Sequence, residues 1–129
     1  SQTVQYPNSV TARGEYASAG EGIAQLTDGN INTKWLDFSS TSWVQFLYNS
    51  AVVINGYDLT SGNDYPERDP KNWDLKASND NGATWTTLDS RNNQSWSARK
   101  LKRSFSFTNS SAFKLYRLEI TANGSGNII

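Results

Sequence analysis

The stretch Ser42-Trp43-Val44-Gln45-Phe46-Leu47-Tyr48 sets the reading of the fold. In an extended chain successive side chains point to opposite faces, so Val44, Phe46 and Tyr48 fall together on one side. Working outward, Asn49-Ser50 reads as a turn, and Val52 to Thr60 as a second strand in which Val53, Tyr57 and Leu59 share a face. Upstream, Val10-Thr11-Ala12 fits a short first strand. Downstream, Trp73, Leu75 and Ala77 alternate with Asp74, Lys76 and Ser78, and Asn79-Asp80-Asn81-Gly82 is a strong hairpin signal before a partner strand over Thr84 to Ser90. Leu101, Arg103, Phe105 and Phe107 alternate along a further strand, and Tyr116, Leu118 and Ile120 give Phe113 to Thr121 an apolar face. No stretch sustains a period near 3.6 over three turns. Seven or so short strands, with turns at regular spacing, predict an all-β chain folded as an antiparallel β-sandwich or jelly roll.

Composition narrows the function. At 129 residues the chain suits one domain, spanning 1–129, with a real core. Lys+Arg and Asp+Glu are 12 each, a balance that argues against the basic stripe of a nucleic-acid binder and against polybasic attachment to anionic lipid. The absence of Cys and His removes thiolate nucleophiles, the usual zinc ligands and the commonest general base. Five Trp, six Tyr and five Phe among many Asn, Ser, Thr and Gly residues are the composition of a loop-rich extracellular module, so a secreted location is expected. With no Met and no secretory leader in the given sequence, a processed form or an excised module is expected. Three matches to the N-glycosylation pattern, at Asn93, Asn109 and Asn123, carry little weight in so Asn- and Ser-rich a chain.

One loop has the makings of a cation site. In Leu26-Thr27-Asp28-Gly29-Asn30-Ile31-Asn32-Thr33-Lys34-Trp35, side-chain oxygens recur around a glycine that lets the backbone curl. Such a loop can turn oxygens around a hard cation such as calcium, or it can be a tight turn whose Asx side chains bond their own backbone. It is not an EF-hand, because its glycine is misplaced and no helices flank it.

Several segments in order resemble the discoidin family, also called the coagulation factor 5/8 type C domain, and most of all carbohydrate-binding modules of family 32. They are Asp28-Gly29-Asn30 with Thr33 and Trp35, Trp43-Val44-Gln45-Phe46, Val53-Ile54-Asn55-Gly56-Tyr57, Asp69 to Leu75, Ser78-Asn79-Asp80 with Trp85, and Tyr116 to Ile120. The resemblance implies an eight-stranded sandwich of the galactose-binding type and a structural calcium held by the Gln25 carbonyl, Asp28, Asn30 and Thr33. Family members complete that site with a carboxylate on a final strand, which this sequence lacks after Ile129. Either Thr3 to Tyr6 fills the open slot in the sheet, or the strand belongs to a longer native chain.

The resemblance also implies a ligand site on loops at one end of the sandwich. Asp37-Phe38, the long loop Asn63 to Asp69 and the segment Asn123 to Asn127 are the polar loops suited to it. A flat aromatic accepts the apolar face of a pyranose while planar groups pair with neighbouring hydroxyls. The candidates are Tyr65 or Phe38 for stacking, Arg68 as donor, and Asp37, Asp64, Glu67 and Asn123 as acceptors. The competing reading has Arg68 and Asp69 pairing only to hold their loop. Trp35, Trp43, Trp73 and Trp85 are expected in core or sheet packing, Trp96 as a cap over one sandwich edge, and Arg99-Lys100-Lys102-Arg103 as a solvated face. The expected function is non-catalytic carbohydrate binding, with membranes reached only through glycans. The alternative is a discoidin-type adhesion domain for protein or phospholipid headgroups. A glycosidase would need two carboxylates across a cleft, which a sandwich of this size does not provide.

Overall fold

The structure, a computed structural model, describes residues 7–16, 18, 20–22, 24, 34–37, 39, 41–62 and 66–123. Among the described residues seven strands follow one another: β1 (Ser9–Ala12), β2 (Ser42–Val52), β3 (Gly56–Thr60), β4 (Pro70–Ser78), β5 (Thr86–Arg91), β6 (Lys102–Ser106) and β7 (Phe113–Asn123). They form a five-stranded sheet in the order β1-β2-β7-β4-β5 and a two-stranded sheet of β3 and β6, with every pairing antiparallel. The antiparallel β-sandwich read from the alternation is therefore the observed fold. Thr3 to Tyr6, the segment considered for the open slot, lies outside the described residues.

Alternation explains the core. Val44 and Tyr48 of β2 are buried while Trp43, Gln45 and Leu47 face the other way. Trp73 and Leu75 of β4 meet Leu118 and Ile120 of β7, and Phe105 of β6 packs onto them with Tyr57 and Leu59 of β3. The Phe105 ring stands edge-on to Trp73 at 5.2 Å and lies nearly parallel to Tyr57 at 5.3 Å, geometries that suit aromatic quadrupoles. The fully buried Trp73 donates its indole N–H to the Tyr57 hydroxyl at 2.7 Å, and that hydroxyl donates to Asp89 at 2.7 Å. Asp89 also accepts from Arg91 Nε. The polar tips of two large aromatics are thus satisfied inside the sandwich. A second cluster of Tyr48, Ala77 and Tyr116 closes the core toward the far end.

Two details differ from the sequence reading. Asn49-Ser50 does not end a strand; β2 runs on to Val52, and its register against β7 slips between Leu47 and Val52. The turn-prone pair is absorbed as an irregularity, and β3 starts only at Gly56. The Asn79–Gly82 hairpin is present, with Asn81 and Gly82 at positive φ. Ser78 Oγ donates to Asp80, and Asp80 accepts both the backbone N–H and the hydroxyl of Thr84. These bonds hold the Asp80 carboxyl down at about 2, with the Ser78 hydroxyl the largest cause.

Candidate functional site

The strand directions decide which loops meet. Ser42 at the start of β2 lies opposite Ile120 near the end of β7, and Pro70 at the start of β4 lies opposite Asn123. Thr60 at the end of β3 pairs with Lys102 at the start of β6, and Ala12 at the end of β1 pairs with Val44. The described residues of segments 35–41 and 61–69, the segment 92–101 and the exit of β7 therefore gather at one end of the sandwich. The β4–β5 hairpin and the start of β7 mark the other end.

The base of the 61–69 loop is fastened hard. Arg99 forks onto Asp69, with Nη1 donating to Oδ1 at 3.0 Å and Nη2 to Oδ2. Ser61 donates its backbone N–H to Leu101 at 3.0 Å and its hydroxyl to the Ala98 carbonyl at 2.9 Å. Lys100 N–H donates to the Gly62 carbonyl. The 92–101 loop is laced in turn to the start of β4: Asn93 N–H donates to Asn72 Oδ1, Gln94 N–H to the Lys71 carbonyl and Trp96 Nε1 to the Pro70 carbonyl. Between these anchors a 3₁₀ turn, Pro66–Arg68, presents an exposed Glu67 and a partly buried Arg68. Fastening the feet of a loop lowers the ordering cost of binding there.

Only some of the sequence-derived candidates fall within the described residues. Glu67 and Arg68 stand on the fastened turn, and Asn123 closes β7 beside Pro70, only 8% exposed. Phe38, Asp64 and Tyr65 lie outside the described residues, as do the calcium candidates Gln25, Asp28, Asn30 and Thr33. Asp37 departs from expectation. It is 2% exposed and accepts from Arg13 Nε and Nη2, each at 2.7 Å, and from Ser42 Oγ at 2.6 Å. Its carboxylate ties β1 to β2 instead of facing solvent. The bond to Asp37 raises the Arg13 pKa, so that guanidinium is fixed in both charge and direction. A Cβ at Gly14 would collide with Asp37 Oδ1, so the close approach itself calls for glycine there.

Asp69 does pair to hold its loop, with Arg99 as a partner. Of the run expected as a solvated face, Lys100 and Lys102 are exposed, whereas Arg99 and Arg103 are partly buried. Arg103 stacks over Trp96 at 5.2 Å and over Phe105 at 5.0 Å, and donates to Ser95 O and Gln94 Oε1. Trp96 packs against the core beside Trp73, as a cap does. Trp35 packs on the same cluster and donates to Gly14 O. Trp43 and Trp85 lie instead against Arg117, their centroids 4.4 and 4.9 Å from its guanidinium carbon. Arg13 and Arg99 were missed as organisers because their carboxylate partners lie 24 and 30 residues away. Of the sequon asparagines, Asn123 is buried and Asn109 donates to Ile54 O and Ser111 O, which leaves Asn93 exposed.

A sequence model of the F5/8 type C domain matches residues 9–129. The chain belongs to the F5/8 type C domain family. Among solved structures, this F5/8 type C domain is similar to a pectin-binding carbohydrate-binding module, at 26% identity and a TM-score of 0.74 over 98% of this chain and 86% of that one. A family 32 carbohydrate-binding module from Clostridium perfringens, solved in complex with GalNAc-β-1,3-galactose, shares the fold at 18% identity and a TM-score of 0.75, over 93% of this chain and 87% of that one. Among curated proteins, a peptide-N(4)-(N-acetyl-β-glucosaminyl)asparagine amidase of Arabidopsis thaliana is 38% identical over 104 residues, 78% of this chain. The chain spans 14% of that amidase's length.

Proposed function

We propose that this F5/8 type C domain is a non-catalytic carbohydrate-binding module whose ligand sits on the end where segments 35–41, 61–69 and the β7 exit converge. The observation that carries the proposal is that convergence, set by the Ser42–Ile120 and Pro70–Asn123 pairings, together with the Arg99–Asp69 clamp that fixes the loop bearing Glu67 and Arg68. In this reading Tyr65 or Phe38 stacks on the sugar, Arg68 donates to its hydroxyls, and Asp64, Glu67 and Asn123 accept. Asp37, buried against Arg13 and Ser42, takes no part in that contact. The likeness to a pectin-binding module supports the ligand class. The small share of the plant amidase that is matched supports a module that brings a larger glycan-active protein to its substrate, in a secreted or otherwise glycan-rich setting.

Calcium belongs to the same proposal. The Gln25 carbonyl, Asp28, Asn30 and Thr33 offer oxygen donors only, the donor type that hard cations take. They would hold the ion as a structural clamp on their loop. The test is calorimetric titration with galactose, oligogalacturonate, chitosan oligomers and N-glycans. Binding to at least one, abolished by Arg68→Ala in a protein that still melts cooperatively, is the expected result. No binding to any of them at millimolar concentration rejects the proposal.

A further inference from the structure

A cleft of about 270 Å³ opens between the ends of β1, β2 and β7, lined by Arg13, Thr41, Trp43, Glu119 and Thr121 together with Ser42 and Ile120. It faces away from the core, because Trp43 and Glu119 are cross-strand partners on the side opposite Val44 and Ile120. None of these lining residues was assigned a ligand role from the sequence. The cleft is smaller than the ~300–1,000 Å³ of sites for drug-sized ligands, and suits one compact polar unit.

Its chemistry is specific. Asp37 occupies the Nε–Nη2 edge of Arg13, which turns the Nη1–Nη2 edge outward; among the described residues Nη1 has no acceptor. The Arg13 side chain is 43% exposed, so this second fork is both fixed and reachable. Glu119 sits 3.7 Å from both Lys76 and Arg117, distances too long for good hydrogen bonds, and keeps acceptor capacity. Trp35, Trp73 and Trp96 all donate their indole N–H to the protein, whereas Trp43 donates to nothing among the described residues. The Trp43 ring is nevertheless held firmly, by the Arg117 guanidinium lying over it. Arg117 is itself fixed by Gln45 Oε1.

The geometry points to a second sugar subsite in this cleft, at the same end of the sandwich but built without the 61–69 loop, for a neutral pyranose: we propose that Arg13 donates to two adjacent hydroxyls, Glu119 accepts from a third, and Trp43 bounds the ring. Only the ligand class rests on the glycan-binding reading above; the site does not. A guanidinium edge spaced for two oxygens fits a vicinal diol as it fits a carboxylate. A carboxylate is disfavoured because Asp37 already balances the Arg13 charge and Glu119, an acceptor with no proton to give, offers it no donor. Thr41 and Thr121 hydroxyls, both able to donate and accept, complete a lining suited to polyols.

The experiment is a ¹⁵N-resolved NMR titration of the intact chain with galactose, glucose, mannose, N-acetylglucosamine and galacturonate. At least one neutral sugar should shift the Trp43 indole N–H and the Thr41 and Thr121 amides saturably, with galacturonate at least tenfold weaker. These shifts should persist in Arg68→Ala, and weaken about tenfold in Glu119→Gln and in Thr41→Val, whose spectra report folding directly. A Trp43 indole unmoved by all four neutral sugars overturns the inference, as does a shift lost in Arg68→Ala or matched by galacturonate. If Trp43 responds while the 61–69 loop does not, the end-loop site fails and the cleft stands.

Discussion

Replacing Arg99 by leucine isolates the clamp under the 61–69 loop. The side chains of Asp69 and Arg99 are 9% and 25% exposed, so the change leaves a nearly buried carboxylate without its two charged donors. Removing one partner of a fully buried pair costs about 3–5 kcal/mol. Partial solvent access to Arg99 lowers the expectation to about 2–3 kcal/mol. At about 2.1 cal/mol/K of unfolding entropy per residue over 129 residues, 1 kcal/mol moves Tm by about 4 °C. Arg99→Leu should therefore lower Tm by roughly 8–12 °C in calorimetry. Asp69→Leu should cost less, because the guanidinium left behind can reach water. The double variant Arg99→Leu/Asp69→Leu should return to within about 1 kcal/mol of the parent, since it leaves no orphaned charge. Affinity for a sugar on the loop should fall about fivefold in Arg99→Leu, as about 1 kcal/mol of loop ordering is transferred to the binding step. If the double variant is as unstable as the Arg99→Leu single, the desolvated-charge reasoning is refuted.

Other outcomes follow from the same contacts. Tyr57→Phe strands the buried Trp73 indole N–H and takes one donor from Asp89, so urea unfolding should show a loss of about 2 kcal/mol. Burial raises the pKa values of Tyr48, Tyr57 and Tyr116 above the ordinary phenol value. Their contribution should be complete below about pH 10 and lost as pH climbs through the raised folded values, with tyrosinate absorbance appearing together with unfolding. Asp80, held at about 2, stabilises above the ordinary carboxylate range near 4 and loses that contribution as pH falls through about 2. Urea midpoints of Asp80→Asn measured against pH should lack that acid-side slope. Chelation should lower Tm, added calcium should restore it, and Asp28→Ala should abolish both responses; a Tm indifferent to chelator would return that loop to a simple turn.

The fold was legible because each long strand alternates cleanly. Val44 and Tyr48, Trp73 and Leu75, and Leu118 and Ile120 are the observed core and were the residues whose period could be read. The end of β2 was not legible, because Asn49-Ser50 carries a turn signal that a register slip absorbs without ending the strand. At the site end the loops could be named from length and polarity, but their fastening could not. Asp37 looked like a free acceptor only because Arg13 lies 24 residues upstream, and Arg99 looked like one of a row of solvated cations because Asp69 is 30 residues away. Such long-range ion pairs have no local period and exist only once the strand order brings β1 beside β2 and β3 beside β6. The cleft at Trp43 and Glu119 was hidden for the same reason, since its lining is assembled across three strands.

The central claim is that the fastened loop bearing Glu67 and Arg68 binds carbohydrate. Isothermal titration of the parent and of Arg68→Ala, against oligogalacturonate, a galactose-containing disaccharide and an N-glycan, tests it most directly. Saturable binding of the parent to at least one of these is expected, with a loss of at least tenfold in affinity for an Arg68→Ala protein that still melts cooperatively. Equal affinities for the two proteins, or no heat from any of the three glycans with the folded parent, would contradict it.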